Sequence, residues 1–484
     1  MRGLEEAVGR GNLLLGRGER VLYGYDATVV RGVPRAVARP ATTGEVAAVL
    51  RLCHRERLPV IPRGAGTGLS GGAVPVRGGV VLDLGRMNRI RRIDRQDLYA
   101  EVEAGVNTRR FQEAVEAEGL FFPPDPSSAV ASTLGGNLAE NAGGPRAFKY
   151  GVFRDYTLGL TVVLADGSIL RTGGRTVKNV SGYDLTRLFV GSEGTLGVIT
   201  EAILKLIPPP EARRTLMAGF LRLEEAAEAV SAIIAAGLRP SALELMDESS
   251  IRVVEEYLHL GLPLDVEAIL LIEVDGPAAV VEEEAGAVAD LCRRQGASLL
   301  RLAREEAEAA ELWRARKAIS PAVARIKPTK ISEDATVPRS RIPEMVRRLK
   351  EIARRHAVTL VVFGHAGDGN LHPNILCDAR NPEEMERVWR AVAEIFRVTL
   401  ELGGTLSGEH GIGVLKAPFL GWEHGEAGLR AMRAIKAALD PHGILNPGKL
   451  FPDQAPGWPV PIPDAPRRPE ARSRSASAGR SLGG

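Results

Sequence analysis

Cysteine is nearly absent from this 484-residue chain. There are three, Cys53, Cys292 and Cys377, far apart, odd in number and without a CxxC pair. That excludes a disulfide framework and a cysteine-ligated Fe–S cluster, and it fits a reducing compartment. An excess of one charge is missing too: 63 Lys and Arg face 60 Asp and Glu, a net +3. Such a balance gives no basic body for nucleic acid. Long apolar runs are lacking. No segment reaches the roughly 18 apolar residues of a spanning helix. The N-terminus, MRGLEEAVGRGNLLLGRGER, does not read as a signal peptide. A cytoplasmic protein is expected, compatible with peripheral attachment at the inner membrane. Histidine is scarce, with eight in all, so two of them around one glycine-rich turn call for an explanation.

What is present describes a globular protein: 44% hydrophobic and 25% charged residues. The length favours two or three domains. From 451 to 484 the chain turns to Pro, Ser, Ala and Arg without apolar periodicity, and a disordered tail is expected there.

In TTGEVAAVLRLCHRER (42–57), Thr42 and Glu45 have capping-box spacing, and Val46, Val49, Leu50 and Cys53 share a helical face. A short strand, LPVIP (58–62), leads into RGAGTGLSGG (63–72). Gly66, Gly68 and Gly71 match GxGxxG. A dinucleotide fingerprint needs a helix next; here a strand-like alternation of Val80, Leu82 and Leu84 follows instead. The Rossmann reading fails. Two readings stay open for the loop itself, an ordinary glycine-rich turn or a phosphate-binding nest of backbone N–H groups. A second glycine-rich block spans 123–151. TLGLTVVLADGSIL (157–170) reads as a hairpin turning at Asp166-Gly167, and NVSGYDLTRLFVGSEGTLGVIT (179–200) is a third such block. Neither glycine-rich block shows an apolar helical stripe. Three loops of this kind within about 140 residues point to an extended polar ligand.

PRGAGTGLSGG, TLGGNLAENAGG and GYDLTRLFVGSEGTLGVIT resemble the FAD-binding domain of the vanillyl-alcohol-oxidase/PCMH superfamily. They are most like the branch of glycolate oxidase FAD-linked subunits and of D-lactate and D-2-hydroxyglutarate dehydrogenases. The resemblance runs from about residue 35 to 450. It implies an α+β fold: a two-subdomain PCMH-type FAD-binding domain at 35–210, after a helical lead-in at 1–34. A cap or substrate domain follows at 211–450, and its C-terminal segment returns to the flavin. Carried over by motif, Arg63, Gly64, Ala65, Gly66, Thr67 and Gly68 hold the FAD pyrophosphate. Ser132, Gly136, Asn137, Glu193, Gly194, Gly197 and Ile199 contact the rest of FAD. Some relatives attach the flavin through a histidine or cysteine in these loops. Neither occurs in 63–72 or 123–151, so FAD is expected to be non-covalent.

From 211 the pattern changes. Strand-like runs at 215–220, 241–247, 268–276 and 298–303 alternate with helical runs at 224–237 and 278–296. Two strand–helix–strand units predict a ferredoxin-like cap, an antiparallel sheet with helices on one face. The helical segment 304–327 carries Arg316 and Ser320, four apart and on one face. A guanidinium there is either solvated or suited to bonding both oxygens of a carboxylate. The resemblance implies that Arg316 clamps the substrate carboxylate. Relatives that oxidise dicarboxylates add a lysine further on; here Ser332 takes that place, with Lys330 two residues early. That departure weakens a 2-hydroxyglutarate assignment.

VTLVVF (358–363) and LHPNI (371–375) read as paired strands. With a six-residue connection, 366–371, His365 and His372 lie opposite each other, and Asn374 shares the face of His372. In TLSGEHGIGVLK (405–416), Glu409 and His410 sit between glycines. From the residues alone, these are either histidines satisfied by hydrogen bonds or an incomplete divalent coordination shell. GHxGDGNLHxN and SGEHGIG resemble the hydroxy-acid dehydrogenase branch. That implies a metal, Zn or Mn, on His365, His372 and Glu409, with His410 as base and Asn374 and Ser320 at the substrate.

The resemblance thus implies oxidation of a 2-hydroxy acid of the glycolate or D-lactate type. The alternatives are a D-2-hydroxyglutarate-type dehydrogenase, an FAD-dependent ether-lipid synthase, or a non-catalytic FAD-binding subunit of a larger oxidase. Electrons are expected to leave to an external acceptor: an Fe–S partner subunit, a quinone, a cytochrome or an electron-transferring flavoprotein. A homo- or hetero-oligomer is compatible with this.

Overall fold

A computed structural model describes residues 1–451, 453 and 458–466. The first half holds two sheets. A four-stranded sheet orders Leu13–Leu14, Ala36–Ala38, Val80–Asp83 and Val60–Arg63, the last three parallel. The helix Thr43–Arg55 packs on it through Val46, Val49, Leu50 and Cys53. Its cap forms as the spacing predicts: Thr42 Oγ1 accepts from Glu45 N at 3.1 Å. No helix follows the glycine loop; the chain returns as the strand Val80–Asp83, parallel to Val60–Arg63.

An antiparallel five-stranded sheet (Ile90–Asp94, Tyr99–Glu103, Val198–Lys205, Thr157–Val163, Ile169–Gly173) stands beside it. The Asp166-Gly167 hairpin turn is present, with Gly167 at φ +84°. The block 123–151 is not free of helix: Leu134–Glu140 is helical and buries Leu134 and Leu138. It is only seven residues long, too short for a periodic stripe to show.

The second half is an eight-stranded antiparallel sheet. Its strands Ala297–Leu302, Ala212–Phe220, Ala268–Gly276 and Ala242–Asp247 are neighbours in that order, the ferredoxin-like arrangement. The strands Thr359–His365, Asn370–Cys377 and Thr329–Ser332 extend it, and Ala335–Thr336 pairs along Asn370–Cys377. Helices cover both faces, not one. Leu223–Ala235, Ala278–Arg294, Ile342–His356 and Pro382–Glu401 pack on one side. Glu248–Leu258 and Glu306–Val323 pack on the other. The central strand Ala242–Asp247 is buried at every position, as a strand between two helical layers must be. Its Leu243 and Leu245 face one layer; Glu244 and Met246 face the other.

The expected tail at 451–484 is corrected in part. Trp458 packs on Trp389 and Phe419, with ring centroids at 5.0 and 4.8 Å, and Val460 is buried. The remainder, 467–484, lies outside the described residues. Among the described residues no helix is long and apolar enough to cross a membrane.

Candidate active site

One cavity of about 1970 Å³ lies between the two halves. It is about twice the upper end for drug-sized ligands, ~1,000 Å³. All thirteen residues predicted for FAD line it: Arg63 to Gly68, Ser132, Gly136, Asn137, Glu193, Gly194, Gly197 and Ile199. Some of the glycines are sterically required. A Cβ on Gly64 would lie 2.4 Å from Thr133 Oγ1, and one on Gly197 2.4 Å from Val162 Cγ1. At Gly68 a Cβ would meet nothing closer than 4.0 Å, so a side chain there would fill cavity space. This wall fits a dinucleotide lying against backbone.

Several polar groups on that wall are already engaged. Arg63 Nη1 donates to Tyr25 O at 2.8 Å and fastens the lead-in segment to the loop. Asn137 Nδ2 donates to Thr108 Oγ1 at 2.7 Å and Ser132 Oγ at 3.2 Å. The Glu193 carboxylate accepts from Ile412 N and Gly413 N, both at 2.7 Å, and so anchors the chain just after His410.

At the far end stand the histidines. The connection between their strands has four residues, 366–369, not six, and Gly369 turns it at φ +88°. His365 therefore pairs with Asn370, and His372 with Phe363. The two histidines are diagonal rather than opposite but share a face, and their ring centroids are 5.0 Å apart. Their Nε2 atoms each lie 3.2 Å from Glu409 Oε1. Both rings thus meet Glu409 Oε1, while the group whose donor atoms all lie within 4.8 Å of one another is Asp334, His372, Glu409 and His410, without His365. A donor set of two imidazoles and a carboxylate fits a divalent ion with an incomplete shell. His372, Glu409 and His410 line the cavity, and His365 lies behind them, buried. Asn374 is fully buried, is not on the cavity wall, and spends Nδ2 on His372 O at 2.7 Å.

Two carboxylates that sequence reasoning missed organise this cluster. Glu244 Oε1 is 2.7 Å from His365 Nδ1, and its Oε2 is 2.6 Å from Arg316 Nη2. Burial alone would raise its carboxyl, but His365 and Arg316 hold it below the usual range. Asp334 Oδ1 faces His372 Nδ1 at 3.4 Å and His410 Nδ1 at 3.1 Å. Neither residue carries a local signal. Each is one acid within a strand or turn, and only the tertiary fold brings it to the histidines. Burial pushes the His410 imidazole down to about 4 against the pull of Asp334, so the ring is neutral near neutral pH.

Arg316 and Ser320 both line the cavity, on the helix Glu306–Val323. Arg316 lies over the Phe363 ring at 4.9 Å, and its buried Nε has no partner. Lys330 and Ser332 reach the same cavity, where Lys330 Nζ donates to Ser320 Oγ at 2.7 Å.

A glycine-lined dinucleotide wall facing a basic and imidazole-bearing cap defines a PCMH-type flavoprotein oxidoreductase. The solved structure of p-cresol methylhydroxylase with substrate bound has this fold, with a TM-score of 0.79, 19% identity, and coverage of 93% of this chain and 95% of that one. Residues 34–173 match the FAD binding domain, and residues 209–450 match the family described as FAD linked oxidases, C-terminal domain. The chain belongs to the FAD-linked oxidase family. "Glycolate oxidase subunit GlcD" of Bacillus subtilis (strain 168) is 51% identical over 437 residues, covering 90% of this chain and 93% of the relative. "D-lactate dehydrogenase" of Anaerostipes hadrus is 36% identical over 440 residues, covering 89% and 91%.

Proposed function

We propose that this protein is an FAD-dependent dehydrogenase that oxidises a small 2-hydroxy acid, glycolate or D-lactate, to the 2-oxo acid. One observation carries the reading: a single cavity joins the glycine-lined wall to Arg316 and to the His372–Glu409–His410 cluster. The names of the relatives support the substrate class.

FAD, bound non-covalently, supplies the acceptor for the C2 hydrogen and its electron pair. A divalent ion, Zn or Mn, on His365, His372 and Glu409 would supply Lewis acidity at the 2-hydroxyl. The chain's own residues do the rest. Arg316 holds the substrate carboxylate through the donors that Glu244 leaves free, with Ser320 one helical turn away on the same wall. Asn374 supports His372 from behind rather than meeting substrate. His410 takes the hydroxyl proton at Nε2, because its Nδ1 faces Asp334. The hydroxyl carbon becomes a carbonyl as the proton goes to His410. A D-2-hydroxyglutarate-type substrate is the second reading, favoured by Lys330 on the cavity wall beside Ser320.

Electrons leave to an external acceptor: an Fe–S partner subunit, a quinone or an electron-transferring flavoprotein. The three cysteines are buried and free, which supports a relay outside this chain. The relative named as a subunit supports a hetero-oligomer.

The test is an anaerobic visible spectrum of the purified protein. Glycolate and the D and L forms of lactate and 2-hydroxyglutarate are added one at a time. Bleaching of the flavin by glycolate or a D-acid is expected. A yellow protein that no acid bleaches would favour the ether-lipid-synthase or non-catalytic-subunit alternatives. A colourless protein that FAD does not reconstitute would remove the FAD reading.

A further inference from the structure

Asp334 is completely buried, and its two oxygens do different work. Oδ2 faces the segment that carries Glu409 and His410. It accepts from Ser407 Oγ at 2.8 Å, Gly408 N at 3.1 Å, Glu409 N at 3.2 Å and His410 N at 2.9 Å, and Lys416 Nζ lies 3.4 Å away. Oδ1 faces two imidazoles. His410 Nδ1 is at 3.1 Å and His372 Nδ1 at 3.4 Å. All three atoms are buried and none makes a hydrogen bond of full geometry, but Oδ1 is a close polar neighbour of both Nδ1 atoms. The two rings lie nearly parallel, 12° apart with centroids at 5.1 Å.

A carboxylate oxygen only accepts, and it can accept from two N–H groups. An imidazole nitrogen held 3.1–3.4 Å from that oxygen meets it favourably as N–H and unfavourably as a bare lone pair, which favours the proton on Nδ1 in both rings. That leaves the lone pair on Nε2 in each ring. In His372 that lone pair points at the Glu409 side, 3.2 Å from Oε1. A ring's tautomer is set by what its other nitrogen bonds.

We infer that Asp334 is a positioning residue that locks both His372 and His410 in the Nδ1–H tautomer while fixing the backbone of the Glu409–His410 segment. One carboxylate thereby makes His372 a ligand and His410 a proton acceptor together. Its functional meaning rests on the reading proposed above; the tautomers themselves do not. Asp334 also lies near His372, Glu409 and His410, with one donor atom from each of the four within 4.8 Å of the others. Direct ligation of an ion by Asp334 is the competing role. The donors already crowding Oδ2 argue against it.

The experiment uses Asp334→Asn. The four loop donors hold the amide oxygen, so the amide NH₂ must face the imidazoles. Each Nδ1 then has to accept, and each proton moves to Nε2. The primary readout is the two-bond ¹⁵N spectrum of histidine-labelled full-length protein at mildly alkaline pH, with His372 and His410 assigned from His→Gln variants. The parent is expected to show Nδ1–H for both, and the variant Nε2–H for both. Metal affinity of the variant should fall about 10–100-fold, and kcat by about 100-fold or more. KM and FAD content should change little.

An Nε2–H ring at either position in the parent overturns the inference, even if the variant does not fold. A variant that keeps both Nδ1–H tautomers but loses metal makes Asp334 a ligand instead. A variant with unchanged tautomers, metal and kcat leaves it with no such role. Failure of the functional reading looks different: the parent's flavin would not bleach with any hydroxy acid, whatever the tautomers.

Discussion

Glu244 and His365 face each other across two paired strands, with Oε1 2.7 Å from Nδ1. The same carboxylate holds Arg316 through its other oxygen at 2.6 Å. The residue that would grip the substrate and one that would grip the metal are therefore tied to one buried acid. A carboxylate behind a metal-bound histidine fixes the ring and raises its basicity. Here the two groups use different oxygens of that carboxylate, His365 facing Oε1 and Arg316 facing Oε2.

Glu244→Gln should break that arrangement. An amide accepts at only one end, so either Arg316 or His365 faces an N–H group. We expect metal affinity to fall about 10–100-fold, with FAD content unchanged. A titration of metal-stripped variant and parent with Mn checks this. Equal affinities would mean that Glu244 serves the fold alone.

What was legible in the sequence was local. The glycine blocks could be read because close backbone approach needs glycine wherever it occurs; the thirteen residues that the family resemblance picked out within them line one cavity. His365, His372, Glu409 and His410 could be read because each pair lies within one short segment. Glu244 and Asp334 could not. Glu244 reaches His365 only because Ala242–Asp247 pairs with Thr359–His365, more than a hundred residues on. No local pattern sets that register. The hairpin register went wrong by the length of one turn, since Gly369 closes it two residues early. The second helical layer was missed because Glu248–Leu258 buries a narrow stripe, Ile251 and Val254, beside charged residues. Trp458 was assigned to the tail on the composition of its neighbours, and its own ring decided otherwise.

The flavin should come away without bond cleavage. His372 and His410 are the histidines on the cavity wall, both engaged at the cap, and no cysteine lines it among the described residues. Acid precipitation should leave all of the yellow colour in the supernatant. Colour retained in the washed pellet would show a covalent link.

Asp247 makes stability depend on pH. It caps the helix Glu248–Leu258 by accepting from Ser250 N at 2.8 Å, and it also accepts from Val362 N at 2.9 Å. Burial nevertheless pushes its carboxyl up to about 6, against ~3.9 in an unfolded chain. As pH rises, the unfolded chain releases this proton first. The contribution is complete below about pH 4 and is lost as pH passes about 6. Asp247→Asn removes the titration and keeps a capping oxygen. The Tm of the variant, relative to the parent, should therefore rise between about pH 4 and pH 7. A difference that stays flat across that range would show that Asp247 does not titrate there.

Arg316 decides whether the substrate must be an acid. Its guanidinium is buried, tied to Glu244 through Nη2, set over the Phe363 ring, and left with a buried unpartnered Nε, and the residue lines the cavity. A planar fork can serve Glu244 and a substrate carboxylate at once. A lysine ammonium cannot reproduce that geometry. Losing one charge-assisted hydrogen bond costs about 1.5–3 kcal/mol, or ~10- to 150-fold in kcat/KM. Arg316→Lys should lose that much, chiefly through KM. The sharper comparison pairs an acid with its neutral analogue. The parent should prefer glycolate over glycolamide strongly, and Arg316→Met should lose most of that preference while retaining FAD. If the preference survives in Arg316→Met, the guanidinium exists for Glu244 alone, and the carboxylate is read by another cation of the cavity wall, such as Lys317 or Lys330.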